Sequence, residues 1–212
     1  EYFMEGIKSE ADKDECLISS GHSYQSKESG ITLTLNGEIV SYASKNSAKD
    51  GDLIYLSKPI GTGYLLAAYF NNSEMLSSDD FEKVIKNLKM GNHFTVNSAR
   101  SSGSHTMTDI SGYGLSSHLI DICLSSNLSS ELILNKNILI NSNLDLLKLF
   151  KSTGFENNYK STSELVEVSE DHPLKNILYD PQTNGPMLMA IEKKNKEKFE
   201  NFFLNKLGNK PI

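Results

Sequence analysis

Thr108-Asp109-Ile110-Ser111-Gly112-Tyr113-Gly114-Leu115-Ser116-Ser117-His118 is the stretch on which the reading of this chain turns. It reads as a strand ending in an acid, a turn through two glycines, and a helix carrying Leu115, Leu119, Ile120, Ile122 and Cys123. An aspartate at a strand terminus beside such a turn can face a metal-phosphate complex, because the glycine amides and the helix N-terminus place positive partial charge nearby. The same residues also suit a plain strand-turn-helix corner in which Asp109 caps the helix.

A second copy of the layout lies upstream. Leu53-Ile54-Tyr55-Leu56 is an apolar run of strand length that leads through Lys58-Pro59-Ile60-Gly61-Thr62-Gly63 into the apolar helix Tyr64–Phe70. Further back, residues 1–14 fit a packing helix with Phe3, Met4 and Ile7 on one face, and Cys16-Leu17-Ile18 fits a short buried strand. That strand delivers Ser19-Ser20-Gly21-His22-Ser23, a turn in which glycine among small hydroxylated residues lets backbone approach a ligand closely. Ile31, Leu33 and Leu35 alternate with Thr32, Thr34 and Asn36, which predicts a strand with one apolar face. The next stretch is poor in bulky apolar residues, so we place a domain boundary near residue 42, separating residues 1–42 from 43–212.

Downstream, residues 79–101 have helical spacing with a break at Gly91. After the central stretch come an expected strand at Leu132-Ile133-Leu134, a helix over Leu144–Phe150, a polar connection over residues 154–163, and a short strand around Leu165, Val166 and Val168. Leu178-Tyr179-Asp180-Pro181-Gln182-Thr183-Asn184-Gly185-Pro186 should be a rigid loop, since the prolines fix φ and Asp180 and Thr183 can bond nearby backbone. It precedes the strand Met187–Ile191 and a lysine-rich amphipathic helix packed through Phe199, Phe202 and Phe203.

The 212 residues are 38% hydrophobic, enough for a real core in one medium domain or one domain with a piece of another. Acids outnumber bases 27 to 21, and the formal charge of −6 with no basic cluster argues against nucleic-acid or membrane-surface binding. No apolar run approaches the roughly 20 residues of a membrane span. Cys16 and Cys123 are too few for a disulfide scaffold or a zinc site, which implies a reducing compartment and an expected cytoplasmic location. The chain opens in the middle of an amphipathic pattern without a cap, the mark expected of a fragment.

Four separated stretches, in one order, resemble the selenophosphate synthetase family, also called selenide, water dikinase. Gly21-His22-Ser23 resembles its Gly-Gly-His-Ser/Thr turn, with Ser20 at the first glycine, and Lys58-Pro59-Ile60-Gly61-Thr62-Gly63 resembles Lys-Pro-Leu-Gly-x-Gly. Thr108–Leu115 is similar to Thr-Asp-Val-Thr-Gly-Phe-Gly-Leu, with His118 matching the histidine that follows, and Asp180–Gly185 is similar to Asp-Pro-Gln-Thr-Ser-Gly. The likeness departs from the pattern at Ser116-Ser117, where Leu-Gly is usual, and at Pro186, where a second glycine is usual. No counterpart to the family's Thr-x-x-Asn segment is evident around residues 154–163.

The resemblance implies an α/β fold of the α+β kind, shared with aminoimidazole ribonucleotide synthetase. Residues 1–42 would be the tail of an N-terminal ATP-binding domain, and 43–212 a C-terminal synthetase-like domain with a mixed sheet flanked by helices. It implies a kinase-type transferase making selenophosphate, AMP and phosphate from ATP, selenide and water, working as a homodimer with magnesium. By the matching positions Asp109 is a magnesium ligand, and Gly21, His22 and Ser23 contact ATP, reaching the partner subunit's site. The family's reactive cysteine or selenocysteine and its essential lysine belong before residue 1, so no catalytic residue is expected in this stretch and the fragment alone is expected to be inactive. Two other readings fit the same residues: a superfamily relative with a similar ATP and magnesium site, such as thiamine-phosphate kinase or the hydrogenase-maturation dehydratase, and a non-catalytic regulatory paralogue.

Overall fold

The runs Leu53–Leu56 and Met187–Ile191 leave no residue for a polar face, so both belong where a strand is covered on two sides. The computed structural model, which describes residues 2–39, 42–207 and 211–212, forms strands β1 and β3 with those bounds. With β2, Thr106–Asp109, they make a three-stranded sheet ordered β1-β3-β2. Both outer strands run antiparallel to β3, Leu53 facing Ile191 on one side and Asp109 facing Met187 on the other. A single parallel bridge, Ile60 with Leu139, lies outside the strands.

Side chains alternate along a strand, so β3 serves two cores. Met187, Met189 and Ile191 join Tyr55, Ala99, Phe199 and Phe203 in one cluster, while Leu188 belongs to the larger one with Leu56, Tyr64, Leu65, Leu115, Leu119 and Tyr179.

The chain divides into two units, Glu1–Ser41 and Tyr42–Ile212. In the first, α1 spans Tyr2–Lys13 and buries no residue, so the packing expected of Phe3, Met4 and Ile7 is not made within that unit. The strands expected at 16–18 and 31–35 do not form either; Leu33 and Leu35 are 63% and 82% exposed. Alternation marks which face a strand would bury, whereas a strand exists only when its backbone groups find a neighbour, and this unit supplies none among the described residues.

The helices of the second unit are α2 Thr62–Asn71, α3 Ser78–Lys89, α4 His93–Ser101, α5 Gly114–Ser126, α6 Leu144–Leu149, α7 Phe155–Thr162 and α8 Lys196–Leu207. α3 and α4 replace the single interrupted helix expected over 79–101. Ser77 caps α3 by accepting from the Asp80 N–H at 3.1 Å. No strand forms at 132–134; Ile60 pairs instead with the next turn, donating to Ile138 O at 2.8 Å and accepting from Ile140 N at 3.0 Å. The expected polar connection over 154–163 is α7, and 163–165 is a 3-10 turn rather than the start of a strand. Among the described residues no helix is long and apolar enough to cross a membrane.

Candidate functional site

Asp109 ends β2 with its side chain exposed, and among the described residues no hydrogen bond or ion pair engages its carboxylate. The turn after it is fixed from several sides. Ile110 N–H donates to Pro186 O at 2.9 Å, and Ser111 O accepts from Gly114 N–H and Gln182 N–H, both at 3.0 Å. Gly112 O accepts from the Asn158 side-chain amide at 2.9 Å, which also donates to Tyr179 O at 3.0 Å. The N–H groups of Gly112 and Tyr113 meet no protein acceptor among the described residues.

The two glycines of the turn differ in their reasons. Gly114 has φ of +75°, and an added Cβ would sit about 3 Å from the backbone of residues 178–180, so the fold requires glycine there. At Gly112 an added Cβ meets nothing within 4 Å. The fold does not ask for that glycine.

His118, one turn into α5, is buried. Its Nε2 accepts from the Ser111 backbone N–H at 3.2 Å and lies 3.4 Å from Ser111 Oγ, while its Nδ1 is buried without a partner. Burial holds the imidazole below its ordinary pKa; Lys45 on the 45–47 turn adds to this, and Asp109 and Asp121 oppose it. Burial thus favours the neutral ring.

The earlier corner, from β1 through Gly61-Thr62-Gly63 into α2, is closed by the 180–186 loop. Gln182 Oε1 accepts from Gly61 N–H at 2.8 Å, Thr62 N–H at 3.2 Å and Thr62 Oγ at 3.2 Å. Asp180 Oδ2 accepts from Gly63 N–H at 3.2 Å and from Gln182 Nε2 at 2.9 Å. The first amides of α2 are thus consumed by protein oxygens. Burial pushes the Asp180 carboxyl up to about 7, against the pull of Gln182 and the α2 amides.

The same loop is tied to the end of α3. Asn184 donates to Leu88 O at 2.6 Å, and the buried Lys58 ammonium donates to Asn87 O at 3.1 Å and Met90 O at 2.7 Å, capping the α3 C-terminus. Burial lowers Lys58 to about 8. Ser116, one of the departures from the family pattern, is buried and bonds Thr162 Oγ at 3.0 Å, so it joins α5 to α7.

Gly21, His22 and Ser23 lie in the first unit, exposed and outside any regular element. Cys16 is exposed and Cys123 half-buried, both as free thiols. Among the described residues no group of three His, Cys, Asp or Glu side chains is placed to hold a metal ion by itself. Asp109 can serve as one oxygen ligand, which suits magnesium, an ion that keeps waters and takes one or two carboxylates plus substrate phosphates. Sequence reasoning missed the roles of Gln182 and Asn158. Gln182 sits about 120 residues from the amides it caps, so no local pattern announces it.

The architecture and this corner define a class. The family described as "AIR synthase related protein, C-terminal domain" matches residues 49–205, and the chain belongs to it. More particular relatives carry the name selenide, water dikinase. One from Shewanella sp. (strain MR-7) is 32% identical over 178 residues, covering 82% of this chain and 50% of the relative. Another from Shewanella sp. (strain W3-18-1) is 34% identical over 179 residues with the same coverage. The chain spans about half the length of the curated relatives it matches. Among solved structures, hydrogenase maturation protein HypE in complex with ATP superimposes with a TM-score of 0.48 at 14% identity, over 76% of this chain and 40% of that one.

Proposed function

We propose that this chain is the later part of an ATP-dependent selenide, water dikinase, which makes selenophosphate, AMP and phosphate from selenide, ATP and water. The relatives' names and the ordered motifs support the activity. The observation that carries the site is Asp109: an exposed carboxylate at a strand end, unpaired among the described residues, beside two backbone N–H groups that those residues leave unclaimed on a turn held rigid by its neighbours. In this reading Asp109 holds one position of a magnesium ion, and the Gly112 and Tyr113 amides offer positive partial charge to phosphate oxygens. Magnesium, when bound, offsets polyphosphate charge and polarises the phosphoryl group that is attacked.

Gly21, His22 and Ser23 contact ATP, reaching the partner subunit's site in a homodimer. The reactive cysteine or selenocysteine and the essential lysine are supplied by residues outside these 212, so a selenide-dependent AMP-release assay on this stretch alone gives no turnover. In the full-length protein, Asp109→Asn lowers magnesium-dependent ATP affinity by about tenfold or more, as expected for removing a charge-assisted ligand. Unchanged affinity, measured by isothermal titration at fixed free Mg²⁺, would overturn the metal assignment.

A further inference from the structure

A backbone N–H can donate only to a nitrogen that carries a lone pair in the ring plane. Ser111 N–H donates to His118 Nε2, so Nε2 is unprotonated and the neutral ring carries its proton on Nδ1. That Nδ1–H is buried and meets no acceptor among the described residues, so no hydrogen bond on its own side fixes the ring. The placement is set from the Nε2 side.

Ser111 is the residue through which the turn is anchored. Its carbonyl is taken by Gly114 and Gln182, which leaves its N–H as the free handle, and His118 takes that handle from one helical turn ahead. The backbone on either side of Ser111 is also secured, the Gly112 carbonyl by the Asn158 amide and the Ile110 N–H by Pro186 O. Without the imidazole acceptor, Ser111 N–H would be the polar group free to rotate the peptide that separates Asp109 from the unclaimed Gly112 and Tyr113 amides.

We propose that His118 is a positioning residue for the Asp109 corner: as its Nδ1–H tautomer it accepts from Ser111 N–H and thereby fixes the carboxylate and the two open amides in one orientation toward a magnesium-nucleotide ligand. This rests on the proposed function for the identity of the ligand, but not for the hydrogen bond. A residue with an acceptor at the same reach replaces it, and one without does not.

The test uses the full-length protein in two arms. In the ligand-free arm, ¹⁵N spectra of the histidine rings at pH 7.5 report His118 Nε2 as unprotonated and Nδ1 as protonated, and the Ser111 amide exchanges with solvent about tenfold or more slowly than that of Gly112. The opposite tautomer, or equal exchange at the two amides, overturns the proposal whatever the nucleotide does.

In the ligand arm, His118→Leu raises the Mg²⁺ concentration needed for half-maximal ATP binding by about fivefold or more, and His118→Gln, whose Oε1 can take the Nε2 place, restores it to within about twofold. Urea midpoints of both variants are measured alongside. A purely structural histidine predicts that Leu and Gln weaken binding only as far as they lower the midpoint, and that result overturns the proposal. If His118→Leu binds as the parent does while Asp109→Asn loses binding, the positioning role fails and the magnesium site stands. If Asp109→Asn binds unchanged, the site reading itself has failed.

Discussion

The second unit contains two corners of the same grammar, strand, glycine turn and helix, and they have opposite fates. At the corner between β1 and α2, Gln182 and Asp180 occupy the helix amides; Gly63 is there because the 180–186 loop presses against it, and Gly61 because its φ of +124° and the Tyr64 ring leave no place for a side chain. At the corner between β2 and α5 the same loop props the turn from behind, through Gln182 N–H on Ser111 O, and leaves the front open with an exposed acid. One loop therefore seals one helix N-terminus and frames the other. A Gly-x-Gly motif does not say which outcome applies; the partner loop decides.

The comparison breaks most visibly at Gly63. A Cβ there would lie 2.4 Å from Pro181 O and 2.5 Å from Asp180 Oδ1, and the nearer of the two is backbone, which cannot swing aside as a side-chain tip can. Gly63→Ala is expected to cost about 3 kcal/mol in urea unfolding, as overpacking of a tight site does. If it is tolerated within about 0.5 kcal/mol, the seal over α2 is loose enough to admit a methyl group.

Next in size is Gln182→Ala. It strands the N–H groups of Gly61 and Thr62, both bonded to Gln182 Oε1 in a buried position, at about 1–3 kcal/mol for each unsatisfied group. The loss shows as a lowered urea midpoint with an unchanged m-value. Because Gln182 N–H also braces Ser111, a backbone contact that alanine keeps, the Asp109 corner should hold its geometry and magnesium-dependent ATP binding should survive in the folded fraction.

Asp180 sharpens the same corner through pH. Its folded pKa, up to about 7, exceeds the unfolded value near 3.8, so the folded state holds the proton more tightly. The contribution to stability is complete below about 4 and is lost as pH rises through about 7. Asp180→Asn removes that slope while keeping an oxygen for Gly63 N–H and Gln182 Nε2. Urea midpoints measured from pH 4.5 to 8 for parent and variant should converge toward the acid end and separate toward the alkaline end, with the variant the more stable there.

What was legible in the sequence follows from where the signals live. β1 and β3 were readable to the residue because a strand covered on both faces is a local run of apolar side chains. The alternation at Ile31, Leu33 and Leu35 was the clearest period-two pattern in the chain and makes no strand, since pairing is a property of a neighbour. α7 reads as a loop in the sequence because Asn157-Asn158 has poor helix propensity; tertiary bonds from Asn158 to Gly112 O and Tyr179 O and the buried Phe155 hold it as a helix. The Asp109 corner could be singled out from its acid and glycines, but the cap that distinguishes it from its twin comes from residues far along the chain.

The smallest expected effect on the fold falls at Gly112. An added Cβ meets no protein atom within 4 Å, and its backbone needs no left-handed angle, so Gly112→Ala should leave the urea midpoint within about 0.5 kcal/mol of the parent or raise it slightly by restricting the unfolded chain. If the space in front of that residue is where a nucleotide's phosphates come close to backbone, the methyl group intrudes there, and magnesium-dependent ATP affinity falls although nothing in the protein has moved. Gly63→Ala should do the reverse, lowering the urea midpoint while its folded fraction binds as the parent does. A pair of alanine variants that separates fold from ligand in this way would establish that the two corners share a pattern and divide the labour. If Gly112→Ala binds ATP as the parent does, the open front of the second corner is solvent and the resemblance between them is only geometric.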